Sequence, residues 1–270
     1  MHAIQTSGNC VRNISTDAFA GVAADEVLDP RPLAEILRQW STVNPEFLYL
    51  PRKFKIALCS ATEDRAAVMM HDIGLYLYRD TNGEMLFDVM VGGGLGRTPI
   101  LSQPIRRALP WRHLLSYVEA VLRVYNRHGR RDNKYKARIK ILVKALTPAV
   151  FAEKVNAEWA HTKDNETTLT EQEVQRVAKH FTAPDYQQFS GDDADYLAKR
   201  DSEKGFNNWA MRNLQAHKVP GYAAVTLSLK PTAVAPGDAT DKQMEAAADL
   251  AERYSFAELR VTHQQNLVLA

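Results

Sequence analysis

Residues 73–94 commit this chain to an antiparallel ribbon, and everything else must be built around it. IGLYLYRD (73–80) and EMLFDVMV (84–91) both read as strands, and Thr81-Asn82-Gly83 between them is a hairpin turn in which Asn-Gly supplies positive φ. The returning strand runs straight into Gly92, Gly93 and Gly94. A two-stranded ribbon is not stable alone, so neighbouring segments must supply more strands and a covering layer. Residues 53–59 alternate and supply a strand; 2–9 read as a strand entering a loop.

The covering layer is predicted from helical periodicity. Residues 30–44 carry Pro32 in the first turn and Leu33, Ile36, Leu37 and Trp40 on one face. Helices are also predicted at 111–127, 132–144 and 148–159, the second of them very basic. This gives a mixed α/β module over 1–160. Residues 161–200 are polar and charged, with a helix near 171–181, and are expected to be a connector or insertion. The last block changes rhythm. Residues 223–230 alternate, Thr240 and Gln243 form a capping box opening a helix to about 254, and 257–270 read strand, turn, strand. That order predicts a ferredoxin-like half domain over 201–270. Beginning and ending at core-like strands, the chain reads as an internal piece of something longer.

Composition narrows function mainly by exclusion. A net charge of +2 over 270 residues favours neither nucleic acid nor membrane as a bulk partner. No apolar run is long enough to span a bilayer, and MHAIQTSGNCVRN lacks the basic stretch and apolar core of a signal peptide, so a cytoplasmic location is expected. The two cysteines, Cys10 and Cys59, form no C-x-x-C pair, and the eight histidines show no metal-ligand spacing.

Four segments could carry chemistry. In YLPRKFK (49–55), Lys53 and Lys55 share one face of a strand and Phe54 takes the other; two ammonium groups so placed suit solvent, or an anion between them. Gly92, Gly93 and Gly94 let backbone N–H groups approach a ligand, although G-x-G-x-x-G is absent. Residues 127–144 are basic; as a helix they would set Arg131, Lys134 and Arg138 on one face and Lys136 and Lys140 on another, which makes nucleic-acid binding a rival function. TSGNCVRN (6–13) is a small polar loop with one arginine, Arg12. Each has an ordinary structural explanation by itself. Together they set cations and bare backbone at strand ends, as a polyanion site would require.

TSGNCVRN, YLPRKFK, DVMVGGGLG (88–96), RRDNKYKARIK (130–140) and RVTHQQNLVLA (260–270), in this order, resemble the nitrite and sulfite reductase haemoprotein family. The resemblance covers nearly the whole chain and is weakest over 161–205. It implies a sirohaem-domain module followed by a ferredoxin-like half domain, a sirohaem, and a [4Fe–4S] cluster joined to it by a shared cysteine. The implied reaction is six-electron reduction of sulfite to sulfide or of nitrite to ammonia, fed by a flavoprotein or a ferredoxin. By motif, Arg12, Lys53 and Lys55 would face the substrate anion, the lysines also supplying protons. Arg52, Arg138 and Lys140 would serve the sirohaem carboxylates, Gly92, Gly93 and Gly94 would pass close to the macrocycle, and Gln265 and Asn266 would lie near it.

Departures from the pattern are equally specific. The family's cluster cysteines, C-x5-C and C-x3-C, belong beyond the second half unit, where this sequence has ended, and Cys10 has no partner three or four residues away. A further distal arginine is expected ahead of residue 1. The chain alone is therefore expected to be an incomplete reductase whose remainder comes from elsewhere. The alternative is a protein that binds sirohaem or an anion without redox chemistry.

Overall fold

The computed structural model describes residues 7–189 and 193–270. Most of the expected strand at 2–9 lies outside them. The chain divides into two compact units, the first of residues 1–16 and 30–181, the second of residues 17–29 and 182–270.

The first unit is a five-stranded mixed sheet in sequence order, flanked by helices. β1 (Val11–Ser15) leads by way of α1 (Arg31–Val43) to β2 (Phe54–Cys59), which pairs parallel with β1 and with β3 (Ile73–Arg79). The ribbon then forms as its sequence demands: β4 (Met85–Val91) returns antiparallel to β3. The turn is one residue looser than a two-residue hairpin. Gly83 alone takes positive φ, at 84°, its N–H donating to the Asp80 carbonyl, while Asp80 Oδ1 accepts from the N–H groups of Asn82 and Glu84. β5 (Gln103–Pro110), which the sequence did not announce, completes the sheet as its edge. Its prolines at 104 and 110 break the strand signature, and an edge position tolerates them.

Four helices follow: α2 (Leu114–His128), α3 (Ile139–Leu146), α4 (Pro148–Ala160) and α5 (Glu171–Ala178). α2 is buried on nearly every side, including Ser116, Tyr117 and Glu119. The core is made by Phe54, Ile56, Leu58, Leu75, Phe87 and Val89 of the sheet with Tyr117, Val121, Tyr125 and Phe151 of the helices. The basic helix expected over 132–144 is corrected. Residues 130–138 are loop, because Asn133 builds a turn, its Oδ1 accepting from the Tyr135 N–H and its carbonyl from the Lys136 N–H. Helical φ/ψ starts only after Arg138, whose ψ is 147°. The shared basic faces expected of that helix therefore do not exist.

In the second unit, α6 (Ala194–Ser202) and α7 (Lys204–Asn213) precede β6 (Leu214–Ala216) and β7 (Ala223–Leu227). α8 (Asp241–Tyr254) opens with both halves of the Thr240–Gln243 capping box, and the hairpin of β8 (Leu259–Val261) and β9 (Leu267–Leu269) closes the unit. The antiparallel order is β6-β7-β9-β8. Segment 17–29 packs here, with Val22 joining Ala224 and Val268 in a small core and the Ala18 and Ala20 carbonyls accepting from Arg260. The stretch expected as a connector, 161–200, thus holds α5 in the first unit and most of α6 in the second.

Candidate functional site

Strand direction gathers the candidate residues of the first unit. β1, β2 and β3 run parallel and β4 runs against them, so the starts of the first three and the end of the fourth lie at one end of the sheet. Arg12 is the second residue of β1, Lys53 directly precedes β2, Lys55 is its second residue, and Gly92 directly follows β4. Phe54 is fully buried with its ring 5.5 Å from that of Tyr125, so Lys53 and Lys55 take the other face, half-buried. The Leu50 N–H donates to the Asn9 carbonyl and the Phe54 N–H to the Cys10 carbonyl, which ties 50–54 to the segment that carries Arg12.

These cations feel one another. Partial burial lowers the Lys53 ammonium below the ordinary lysine range, and the positive charges of Arg12, Arg138, Lys55 and Arg52 push it the same way. Among the described residues, Arg12, Arg52, Lys53 and Lys55 form no ion pair; the Arg12 Nε donates to the neutral Gly8 carbonyl at 2.9 Å.

One anion stands among them, and sequence reasoning passed over it. Asp72, immediately before β3, is completely buried. Its Oδ1 accepts from Arg138 Nε at 2.9 Å and Nη2 at 2.7 Å, and its Oδ2 accepts from the Lys55 backbone N–H at 2.9 Å. Its own carbonyl accepts from the Gly92 N–H at 3.0 Å. Burial pushes this carboxyl up to about 6, against the pull of Arg138 and Lys55. The available signal was a lone acid inside the apolar stretch from Val68 to Leu77.

Lys140 faces inward. It is 7% exposed, and its ammonium donates to the carbonyls of Thr98 at 2.6 Å, Leu95 at 3.1 Å and Gly94 at 3.4 Å, which engages all three of its protons. It clasps the loop that the glycines open, while Gly94 and Ile100 exchange backbone hydrogen bonds at the loop's base. Space around the glycines is scarce. A Cβ at Gly93 would lie 2.4 Å from the His71 carbonyl oxygen, and one at Gly94 3.1 Å from Arg138 Nη2.

Gln265 and Asn266 belong to the second unit, in the turn between β8 and β9. Asn266 Oδ1 accepts from the Leu229 N–H at 3.3 Å and from Lys230 Nζ at 3.2 Å, and Gln265 takes a positive φ of 62°. The structure thus groups Arg12, Arg52, Lys53, Lys55 and Arg138 beside the glycine loop and leaves Gln265 and Asn266 in a separate unit.

A profile described as the nitrite and sulphite reductase 4Fe-4S domain matches residues 7–163, more than half the chain. The chain belongs to the nitrite and sulphite reductase family. A second profile, the nitrite/sulfite reductase ferredoxin-like half domain, matches 216–270. A Mycolicibacterium paratuberculosis protein named sulfite reductase [ferredoxin] 1 is 33% identical over 159 residues, covering 59% of this chain and 28% of that protein. A ferredoxin–nitrite reductase of Synechococcus elongatus is 27% identical over 277 residues, covering 99% of this chain and 46% of that one. The solved structure of the Mycobacterium tuberculosis NirA protein superposes with a TM-score of 0.70 at 25% identity, covering 98% of this chain and 41% of that chain. The chain thus spans less than half the length of these relatives.

Membership in this family implies sirohaem and a [4Fe–4S] cluster, and the residues treat the two differently. Unpaired cations around bare glycine backbone suit a macrocycle edged with carboxylates. A cluster needs four thiolates, and the sequence has two cysteines. Both are buried, Cys10 beside the start of β2 and Cys59 at its far end, roughly 16 Å along the strand. Burial pushes the Cys10 thiol up, away from the thiolate a ligand would be. Among the described residues no group of three or more His, Cys, Asp or Glu could hold a metal ion. These residues do not fit the cluster.

Proposed function

We propose that this chain contributes the anion-binding part of a sulfite or nitrite reductase site. The observation that supports it is the convergence of the positive charges of Arg12, Arg52, Lys55 and Arg138 on Lys53, with the buried Asp72 holding Arg138 and the Lys55 backbone beside the glycine loop. In this reading Arg12, Lys53 and Lys55 hold the substrate oxygens. A charged hydrogen bond of this kind contributes roughly 1.5–3 kcal/mol, and removal of oxygen as water requires protons delivered at those atoms. Lys53 is suited to give one, since its ammonium is held less tightly than an ordinary lysine's. Arg52 takes a carboxylate of the sirohaem, and Gly92, Gly93 and Gly94 let the ring approach backbone. Arg138, held by Asp72, is free for an anion only once that carboxyl lets go, be it a sirohaem carboxylate or the substrate. Gln265 and Asn266 are kept as cofactor residues on their motif alone. Lys140 serves by holding the loop's shape. When bound, sirohaem would bind the substrate at its iron and pass to it the donor's electrons for the six-electron reduction. A ferredoxin, which both relatives' names include, or a flavoprotein would be the donor, in the cytoplasm, with the cluster provided by residues other than these 270. For the domain division we keep, as a functional reading, a reductase module over 1–160 and a half domain over 201–270, with 161–200 linking them in sequence while its helices pack as described above.

A second reading has its own support. The two separated cysteines favour a protein that holds sirohaem or an anion without reducing it. Purification from cells that overproduce sirohaem, followed by visible absorption, tests the common core of both. Bands that co-purify and weaken in Lys53→Gln and Arg52→Gln support the site. A colourless, folded protein overturns it. Sulfite or nitrite turnover on adding an electron donor would then separate reductase from binder.

A further inference from the structure

We propose that Asp72 is the positioning residue of the cation site: it holds the Arg138 guanidinium back from the ligand, and proton uptake at Asp72 releases Arg138 to the bound anion. The inference rests on the anion-site reading above.

The geometry carries it. Asp72 is fully buried, whereas Arg138 retains 18% exposure of its side chain and so sits between the carboxylate and the open side of the site. Both Arg138 contacts converge on one oxygen, Oδ1, and the other oxygen is fixed by the Lys55 N–H. The backbone of the same residue anchors Gly92. Asp72 therefore sets the relative placement of three elements that carry site residues: the loop before α3, the start of β2 and the end of β4. The groups facing it are Arg138, Lys55, Lys140 from α3 and Tyr125 from α2, and its chain neighbour His71 has its Nδ1 2.8 Å from the Ala67 carbonyl oxygen. All the charged partners are cations. Neutralising Asp72 would leave them uncompensated, and an incoming anion would become the compensating charge.

The sign follows. With burial setting its titration at about 6, Asp72 is ionised at neutral pH, where it competes with the ligand for Arg138. Below that value it is neutral and the site carries one more positive charge, so anion affinity rises as pH falls. By linkage, a bound anion must raise the pH at which Asp72 titrates.

The test uses the whole chain, labelled with 13C at aspartate carboxyls and 15N at arginine, and nitrite as the probe, which stays an anion across the range. The Asp72 carboxyl is expected to titrate and the Arg138 Nε–H resonance to follow it with the same midpoint, which nitrite moves upward. Nitrite affinity is expected to rise roughly tenfold from about pH 7.5 to about pH 5, and Asp72→Asn to make that profile flat. If Asp72→Asn does not fold, Arg138→Gln serves instead, and removing the cation is expected to raise the Asp72 midpoint further. An Arg138 proton indifferent to Asp72 titration, or an Asp72→Asn variant that keeps the wild-type pH slope, overturns the proposal. A shared midpoint with no nitrite binding at any pH would sink the anion-site reading instead, and with it the role of the released Arg138.

Discussion

At the residue scale, the site depends on where charges are compensated. Asp72 and Lys140 are both buried, and both are fully engaged by groups of the opposite character. Arg12, Lys53 and Lys55 are half-buried and form no ion pair among the described residues. That contrast separates residues that build the site from residues that offer charge to a ligand. Lys140→Met should remove the clasp while keeping side-chain length. Urea unfolding should show a loss of about 2 kcal/mol, with earlier proteolytic nicking in 95–99. Glycine positions should divide just as sharply. Gly93→Ala drives a Cβ to within 2.4 Å and 2.5 Å of two backbone oxygens and should cost at least about 2 kcal/mol. Gly205→Ala, at the second position of α7 with nothing within 4 Å, should instead stabilise by up to about 1 kcal/mol. Equal effects at the two positions would contradict the packing described. The cations and glycines were legible because their chemistry is written in the motifs. Asp72 was not, because its importance comes from the side chain of a residue 66 positions away in sequence.

At the element scale, local signals were readable and tertiary ones were not. The β3–β4 ribbon, the helix α2 and the capping box of α8 are signalled by patterns within short stretches of sequence. Thr240→Ala should remove the cap and destabilise the second unit by about 1 kcal/mol, read from its thermal midpoint. β5 was hidden because its strand character is supplied by pairing with β4 and by Asp88, whose Oδ1 accepts from the Ala108 N–H at a bulge. The helix expected over 132–144 was half wrong because Asn133 competes for the backbone. Glu26, in segment 17–29, and His217 make the second unit sensitive to pH in two directions. Burial raises Glu26 from 4.5 to about 7, so its stabilising contribution is complete below 4.5 and lost as pH rises through about 7. Burial lowers His217 from 6.5, so its contribution is present above 6.5 and lost as pH falls below it. Glu26→Gln should therefore flatten the decline of stability on the alkaline side and leave the acid side intact. A variant that declines like wild type above neutrality would contradict this.

At the scale of the whole molecule, the chain leaves the first unit after Thr16, enters the second for 17–29, and returns before α1. The reading of two consecutive modules came from local strand and helix patterns and from the motif resemblance, which cannot show that a short early segment completes a later core. Val22 fills the centre of that core, and Arg260 donates to carbonyls of Ala18 and Ala20. A polypeptide of 182–270 alone should therefore lack the dispersed amide NMR spectrum that the second unit shows within the full chain. The fold class itself was legible, since a mixed α/β module followed by a ferredoxin-like half domain is what the structure and the family profiles both give.

The central claim is that anions bind where the strand ends gather Arg12, Lys53, Lys55 and the glycine loop. The most direct measurement is a titration of the 15N-labelled chain with nitrite, following every assigned amide. The predicted result is a set of saturable shifts at Arg12, Lys53, Lys55 and 92–94, abolished in Lys53→Gln/Lys55→Gln. No shift there, or shifts confined to the exposed basic loop at 130–136, would contradict the claim.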